Sequence, residues 1–245
     1  MRTNGCGALS IIFSLTLLPG GAAAQADSLA AAAAQADSLA AAAAQADSLA
    51  AATGEVHTHI LHMSDVFEAA PGGQGLLRIA LAEGEIAALH ADLAAQAVNS
   101  LSDVRLHVRH MLHAIDPSLV LDGPGLGYGL ERATEEALIH LEMATTSPVA
   151  SDNVRTHALH ISTVLGNTRR RTEAIVALAR DLDLASGSSA ASVLARLTVE
   201  GVGLVRGRDI DGDGLVGWQT GEGGLRQANQ HLTLMKRGEG LLPRQ

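Results

Sequence analysis

Aromatic residues are nearly missing from this chain: two Phe, one Tyr and one Trp in 245 positions. Cysteine occurs once, at Cys6, ahead of an apolar N-terminal run. Everything downstream of that run is free of thiols, which excludes disulfides, thiolate zinc sites and covalent c-type haem attachment. Positive charge is also short, with 17 Lys+Arg against 26 Asp+Glu and a formal net charge of −9. Nucleic acid calls for basic grooves and stacking aromatics, so it is excluded as a partner.

Alanine and leucine fill the gap. Hydrophobic residues make up 47% of the chain, and these two are strong helix formers. The composition predicts an all-α protein whose helices approach closely through small side chains.

Three regions follow along the chain. In residues 1–24, Arg2 precedes "ALSIIFSLTLL", then "PGGAAAQ", the order of a signal peptide cleaved near Ala24. The apolar run is too short for a membrane span, so we expect a secreted or periplasmic protein with no stable span after cleavage. Loss of Arg2 would take the formal charge to −10. Residues 25–52 repeat "QADSLAAAAA". A ten-residue period turns Leu29, Leu39 and Leu49 by about 80° each time, so no apolar seam forms and a coiled coil is excluded. This is an Ala-rich, partly helical spacer of low complexity.

Residues 53–245 hold all eleven histidines, and most of them recur in a pattern. "EVHTHILHM" (55–63), "DVRLHVRHM" (103–111) and "NVRTHALHI" (153–161) share one template. "LHADLA" (89–94) and "IHLEMA" (139–144) follow in the first two units, and "QHLTLM" (230–235) is a weaker, late third copy. About 40 residues look inserted before it. Pro71 with its neighbouring glycines, then Asp116-Pro117 and "DGPGLGYG" (122–129), break the first two units into helical hairpins. "SLSD" and "SPVASD" offer N-caps for the following helices. The last first-helix should run from Asp152 to Leu184, and six or seven helices are expected from residue 55 on. "GPGLGYG" lacks the Lys-Ser/Thr of a phosphate loop and follows no strand, so it is read as a connection.

Two imidazoles three residues apart on one helix can share an ion, and a third from a neighbouring helix completes a three-histidine set. The pairs are His59/His62, His107/His110 and His157/His160. The partners are His90, His140 and His231. Hairpin geometry predicts His59, His62 and His90 in one set and His107, His110 and His140 in the next. His113 is placed on the polar face opposite the apolar stripe of its helix. Glu85, Asp92, Glu135 or Glu142 would be oxygen ligands or hydrogen-bond acceptors. Imidazole and carboxylate without thiolate suit Zn²⁺, Cu²⁺, Ni²⁺ or iron. Haem held between His/His or His/Met ligands is the alternative, since Met63, Met111, Met143 and Met235 lie near histidines, although aromatic pocket walls are scarce. A third reading is a structural helical module that takes calcium only. No G-x-S-x-G, H-E-x-x-H or cysteine nucleophile points to an enzyme. Three near-equivalent sites fit binding, buffering or delivery of a metal.

Residues 209–220 read "DIDGDGLVGWQT". Asp209, Asp211 and Asp213 stand at loop positions 1, 3 and 5, Gly214 at position 6, and the Leu215 carbonyl at position 7. Helical sequence flanks them. This stretch resembles the EF-hand family over about residues 192–237, and the resemblance implies bound Ca²⁺. It departs at position 12, where Thr220 replaces the bidentate Glu. Either Glu222 closes a lengthened loop or affinity falls. The expected whole is a bundle of repeated helical hairpins with one EF-hand-like helix–loop–helix near the C-terminus. Its protein partner and oligomeric state are not legible.

Overall fold

The computed structural model describes residues 21–242, with side chains from residue 34 onward; most of the expected leader lies outside them. Seven α-helices and no strand occur among the described residues, as an all-α fold requires. They are α1 (Gly21–Ser64), α2 (Leu76–Gln96), α3 (Leu101–Ile115), α4 (Leu130–Thr146), α5 (Asp152–Leu184), α6 (Gly187–Arg206) and α7 (Leu225–Gly238). A short 3-10 turn, Pro71–Gly73, and an isolated bridge between Val66 and Gln74 shape the connection from α1 to α2.

Backbone contacts divide the chain into two units at Leu49–Ala50. In the first, residues 21–49 are helical throughout, and Leu39 and Leu49 are exposed as the ten-residue period requires. In the second unit, the last turns of α1 carry the first histidine pair.

The second unit holds the hydrophobic core. Serines start two of its helices: Ser100 Oγ accepts from the Asp103 amide and Ser151 Oγ from the Val154 amide. Small residues set the helix spacing. A Cβ on Gly201 of α6 would lie 2.5 Å from the Ala91 Cβ of α2, so α6 packs at backbone distance against α2. Helix α6 is the one described helix long and apolar enough to cross a membrane. Here it packs against both α2 and α5, with Leu194, Leu197 and Leu204 in the core. Across the bundle, Lys236 Nζ of α7 donates to Asp65 Oδ2 at 2.5 Å, and His57 Nε2 faces Glu239 Oε2 at 3.5 Å.

The connection from α3 to α4 is held by a buried acid. Glu83 of α2 is 0% exposed, and its Oε1 accepts from the amides of Leu126, Tyr128 and Gly129, each at 3.1 Å. Gly125, at φ +145°, lets the backbone come this close; a Cβ there would sit 2.5 Å from Glu83 Oε2. The amides of "GPGLGYG" thus bind a carboxyl oxygen, but an internal one. The same connection covers the end of α3. His113 is buried, not on an open polar face, and its Nδ1 donates to the Val120 carbonyl at 2.7 Å.

Candidate metal centres

A helical i,i+3 pair puts two imidazoles on one face, one turn apart. What each pair meets depends on the neighbouring helix. In site I, His59 and His62 of α1 meet His140 of α4. In site II, His107 and His110 of α3 meet His90 of α2. In site III, His157 and His160 of α5 meet His231 of α7. The nine histidines singled out from the sequence all fall into these trios. The remaining two, His57 and His113, face Glu239 and the Val120 carbonyl.

The grouping corrects the hairpin expectation. His90 does not join His59 and His62, and His140 does not join His107 and His110; the two exchange places. Connection length explains it. Only residues 97–100 separate α2 from α3, and so short a link makes antiparallel neighbours. Residues 116–129 form a longer link, which lets α4 pack elsewhere.

Within each trio the rings meet through Nδ1. His59 and His140 are 3.0 Å apart at these atoms, and His90 and His107 are 3.1 Å apart. His231 lies 3.2 Å from His157 and 3.3 Å from His160. Adjacent corners of a tetrahedron with metal–nitrogen bonds near 2.05 Å are separated by about 3.3 Å, so the spacing is that of a coordination shell. One proton can bridge one pair of nitrogens, which leaves the third ring unsatisfied. The Nδ1 atoms of His62 and His110 are indeed buried without a hydrogen-bond partner.

Burial acts against charge on seven of the trio imidazoles. Burial, followed by the facing imidazoles, lowers His90 and His231 to about 4. Burial is also the first cause lowering His59, His110, His140, His157 and His160. These imidazoles are neutral near pH 7, with lone pairs available for a metal.

Other expected donors are elsewhere. None of Glu85, Asp92, Glu135 and Glu142 belongs to a trio among the described residues, and Glu85 instead reaches Arg226 at 4.0 Å. Met63, Met111 and Met235 are core residues, while Met143 is half-exposed.

Two aromatic residues went unread in the sequence. The Phe67 ring lies edge-on to His62 and His140, at centroid distances of 5.5 and 5.3 Å. Trp218 stacks on His160 at 3.9 Å and 22°. The signal was their rarity, since so few aromatics are available to line any pocket.

Trp218 belongs to the connection between α6 and α7, residues 207–224, which also holds the acidic residues. Asp209, Asp211 and Glu222 bring carboxylate oxygens within 4.8 Å of one another. Asp213 is not in this group; its Oδ1 accepts from the Leu215 amide. The Leu215 side chain is exposed. Asp209 accepts from Gly212 and Gly214, and buried Glu222 accepts from Gly217. Two residues of α5 pin the loop's end. Asn167 donates to Gln219 O and accepts from Gly221 N. Arg171 donates to the carbonyls of Gly221, Glu222 and Gly223 at 2.7–2.8 Å. No protein-family model, curated protein or solved structure matches the chain.

Proposed function

We propose that the protein is an exported metal-binding protein that carries transition-metal ions on its three histidine trios and calcium in the loop 209–222. The observation that carries this reading is the convergence of nine imidazoles, all in threes, with Nδ1 atoms at ligand spacing. Each trio leaves a fourth coordination position for water or another donor. With three similar sites and no built-in nucleophile, binding, buffering or delivery suits the protein better than catalysis. We read the second unit as three hairpin-like repeats, one pair-bearing helix to each, with α6 inserted in the last.

Zn²⁺, Cu²⁺, Ni²⁺ and iron all accept three imidazoles. Haem fits less well. Two axial nitrogens face each other across the iron at about twice a metal–nitrogen bond, ~4 Å, with a macrocycle between them. Nitrogens 3.0–3.3 Å apart, with a third ring beside them, favour one small ion over a macrocycle.

Calcium is the second part of the reading. It is supported by the meeting of Asp209 and Asp211 with Glu222, the residue able to close a lengthened EF-hand-like loop. Asp213 would have to turn from the Leu215 amide to join them.

Elemental analysis after loading with Zn²⁺ and Ca²⁺ tests both parts. Three zinc equivalents and one calcium are expected, with calcium alone lost in Asp211→Ala. Zinc below one equivalent in the folded chain would overturn the trio reading. Calcium unchanged in Asp211→Ala would overturn the loop reading.

A further inference from the structure

The three trios differ in what surrounds them. Phe67 lies against site I and Trp218 against site III. No aromatic ring lies against site II among the described residues; the one other described aromatic, Tyr128, bonds Glu136 and packs under Arg132. Site II instead opens on a groove lined by Ser102, Arg105, Leu106, Arg109, His110 and Asp122.

Two arginines line that groove. Arg109 is exposed and makes no hydrogen bond or ion pair among the described residues. Arg105 anchors its Nη2 on the carbonyls of Leu182 and Asp183. Its Nε, however, is buried without a hydrogen-bond partner, with Asp183 Oδ1 at 3.8 Å. Ser102 adds a hydroxyl, and Asp122 is the one acid on the lining. Arg105 is paired with Asp183, so Arg109 is the guanidinium left without a partner on the lining it shares with Asp122 and His110, whose own Nδ1 is also unsatisfied.

We propose that site II takes a small oxyanion of the carboxylate or carbonate class, one oxygen on the open position of the metal and another held by Arg109. The inference rests on the trio reading. A metal with three neutral ligands keeps its full positive charge, and an anion neutralises it better than water does. Guanidinium is the side chain whose paired donors match a planar oxyanion. The aromatic rings at sites I and III place apolar surface where site II places charge. Site II is therefore the trio whose surroundings suit this ligand, and its ion is the one with an exchangeable partner.

Cobalt(II) with acetate as the probe makes the test. The Co²⁺-loaded protein should show a saturable change in its visible absorption on acetate addition, with one acetate per chain. Arg109→Ala, at an exposed position, should keep all three Co²⁺ and weaken acetate on the order of tenfold or more, as expected for a lost bond between charged groups. Arg109→Lys should recover part of the affinity. His90→Ala should remove the acetate response and leave cobalt at the other two trios, where quenched Trp218 fluorescence reports site III. Acetate binding as tight in Arg109→Ala as in wild type overturns the proposal, as does a response that survives in His90→Ala. A chain that holds three Co²⁺ and ignores acetate overturns this inference alone. A chain that holds none overturns the trio reading with it.

Discussion

His140 is the residue at which two readings of the chain diverge. Hairpin logic assigns it to His107 and His110, whereas its Nδ1 lies 3.0 Å from that of His59. His140→Ala should therefore weaken one of three sites by at least the 10–100-fold seen when supporting groups of a metal ligand are removed. It should be non-additive with His59→Ala and additive with His107→Ala. Metal titrations of the single and double variants check this, and coupling to His107 instead would reject the grouping. The identity of the nine histidines was legible, because their spacing recurs with the template. Their partners were not, because a repeat gives residue types and says nothing of which helix packs on which. Glu83 was illegible for a different reason. One acid in "LAEGEIAALH" looks like any other until the 122–129 backbone folds onto it.

Helix α5 shows what an element adds. Its first turns carry His157 and His160; two turns later Asn167 and Arg171 hold the loop that leads to His231. The bounds Asp152–Leu184 are those read from the sequence, since a serine cap and the "ASGSS" break mark both ends. The clamp was hidden, because a buried arginine in "NTRRRTE" resembles its solvated neighbours until its burial is known. Arg171→Ala leaves three carbonyls without their donor. Lost charge-assisted bonds are worth roughly 1.5–3 kcal/mol each and do not simply add, so a total loss of about 3 kcal/mol or more is expected. Urea unfolding measures it, and a loss below about 1 kcal/mol would mean that the loop has another anchor. Trp218 fluorescence should change in the same variant, since the loop that positions its ring against His160 is released.

For the whole molecule the trios act together through pH. Seven cluster imidazoles are lowered by burial first, two of them to about 4, against ~6.5 in the unfolded chain. Between those values the unfolded chain binds more protons, so stability rises with pH across the window. The metal-free protein should be most stable above about pH 6.5 and lose stability progressively towards pH 4. The urea midpoint measured at pH 7.5 and at pH 5 checks it; equal midpoints would mean that the imidazoles are not buried together. The fold class was readable at this scale from alanine and leucine alone. The exchange of α2 and α4 between trios was not, because it is decided by link length and packing far along the chain.

That exchange also sets an order in time. His90 and His107 are 17 residues apart, whereas His157 is 74 from His231 and His59 is 81 from His140. Closing 81 residues rather than 17 costs about 1.4 kcal/mol more in chain entropy. During synthesis at roughly 5–20 residues per second, His140 emerges some 4–16 seconds after His59. Site II is therefore the first that a nascent chain can assemble, while the histidine pair of α1 waits for a partner that has yet to be made.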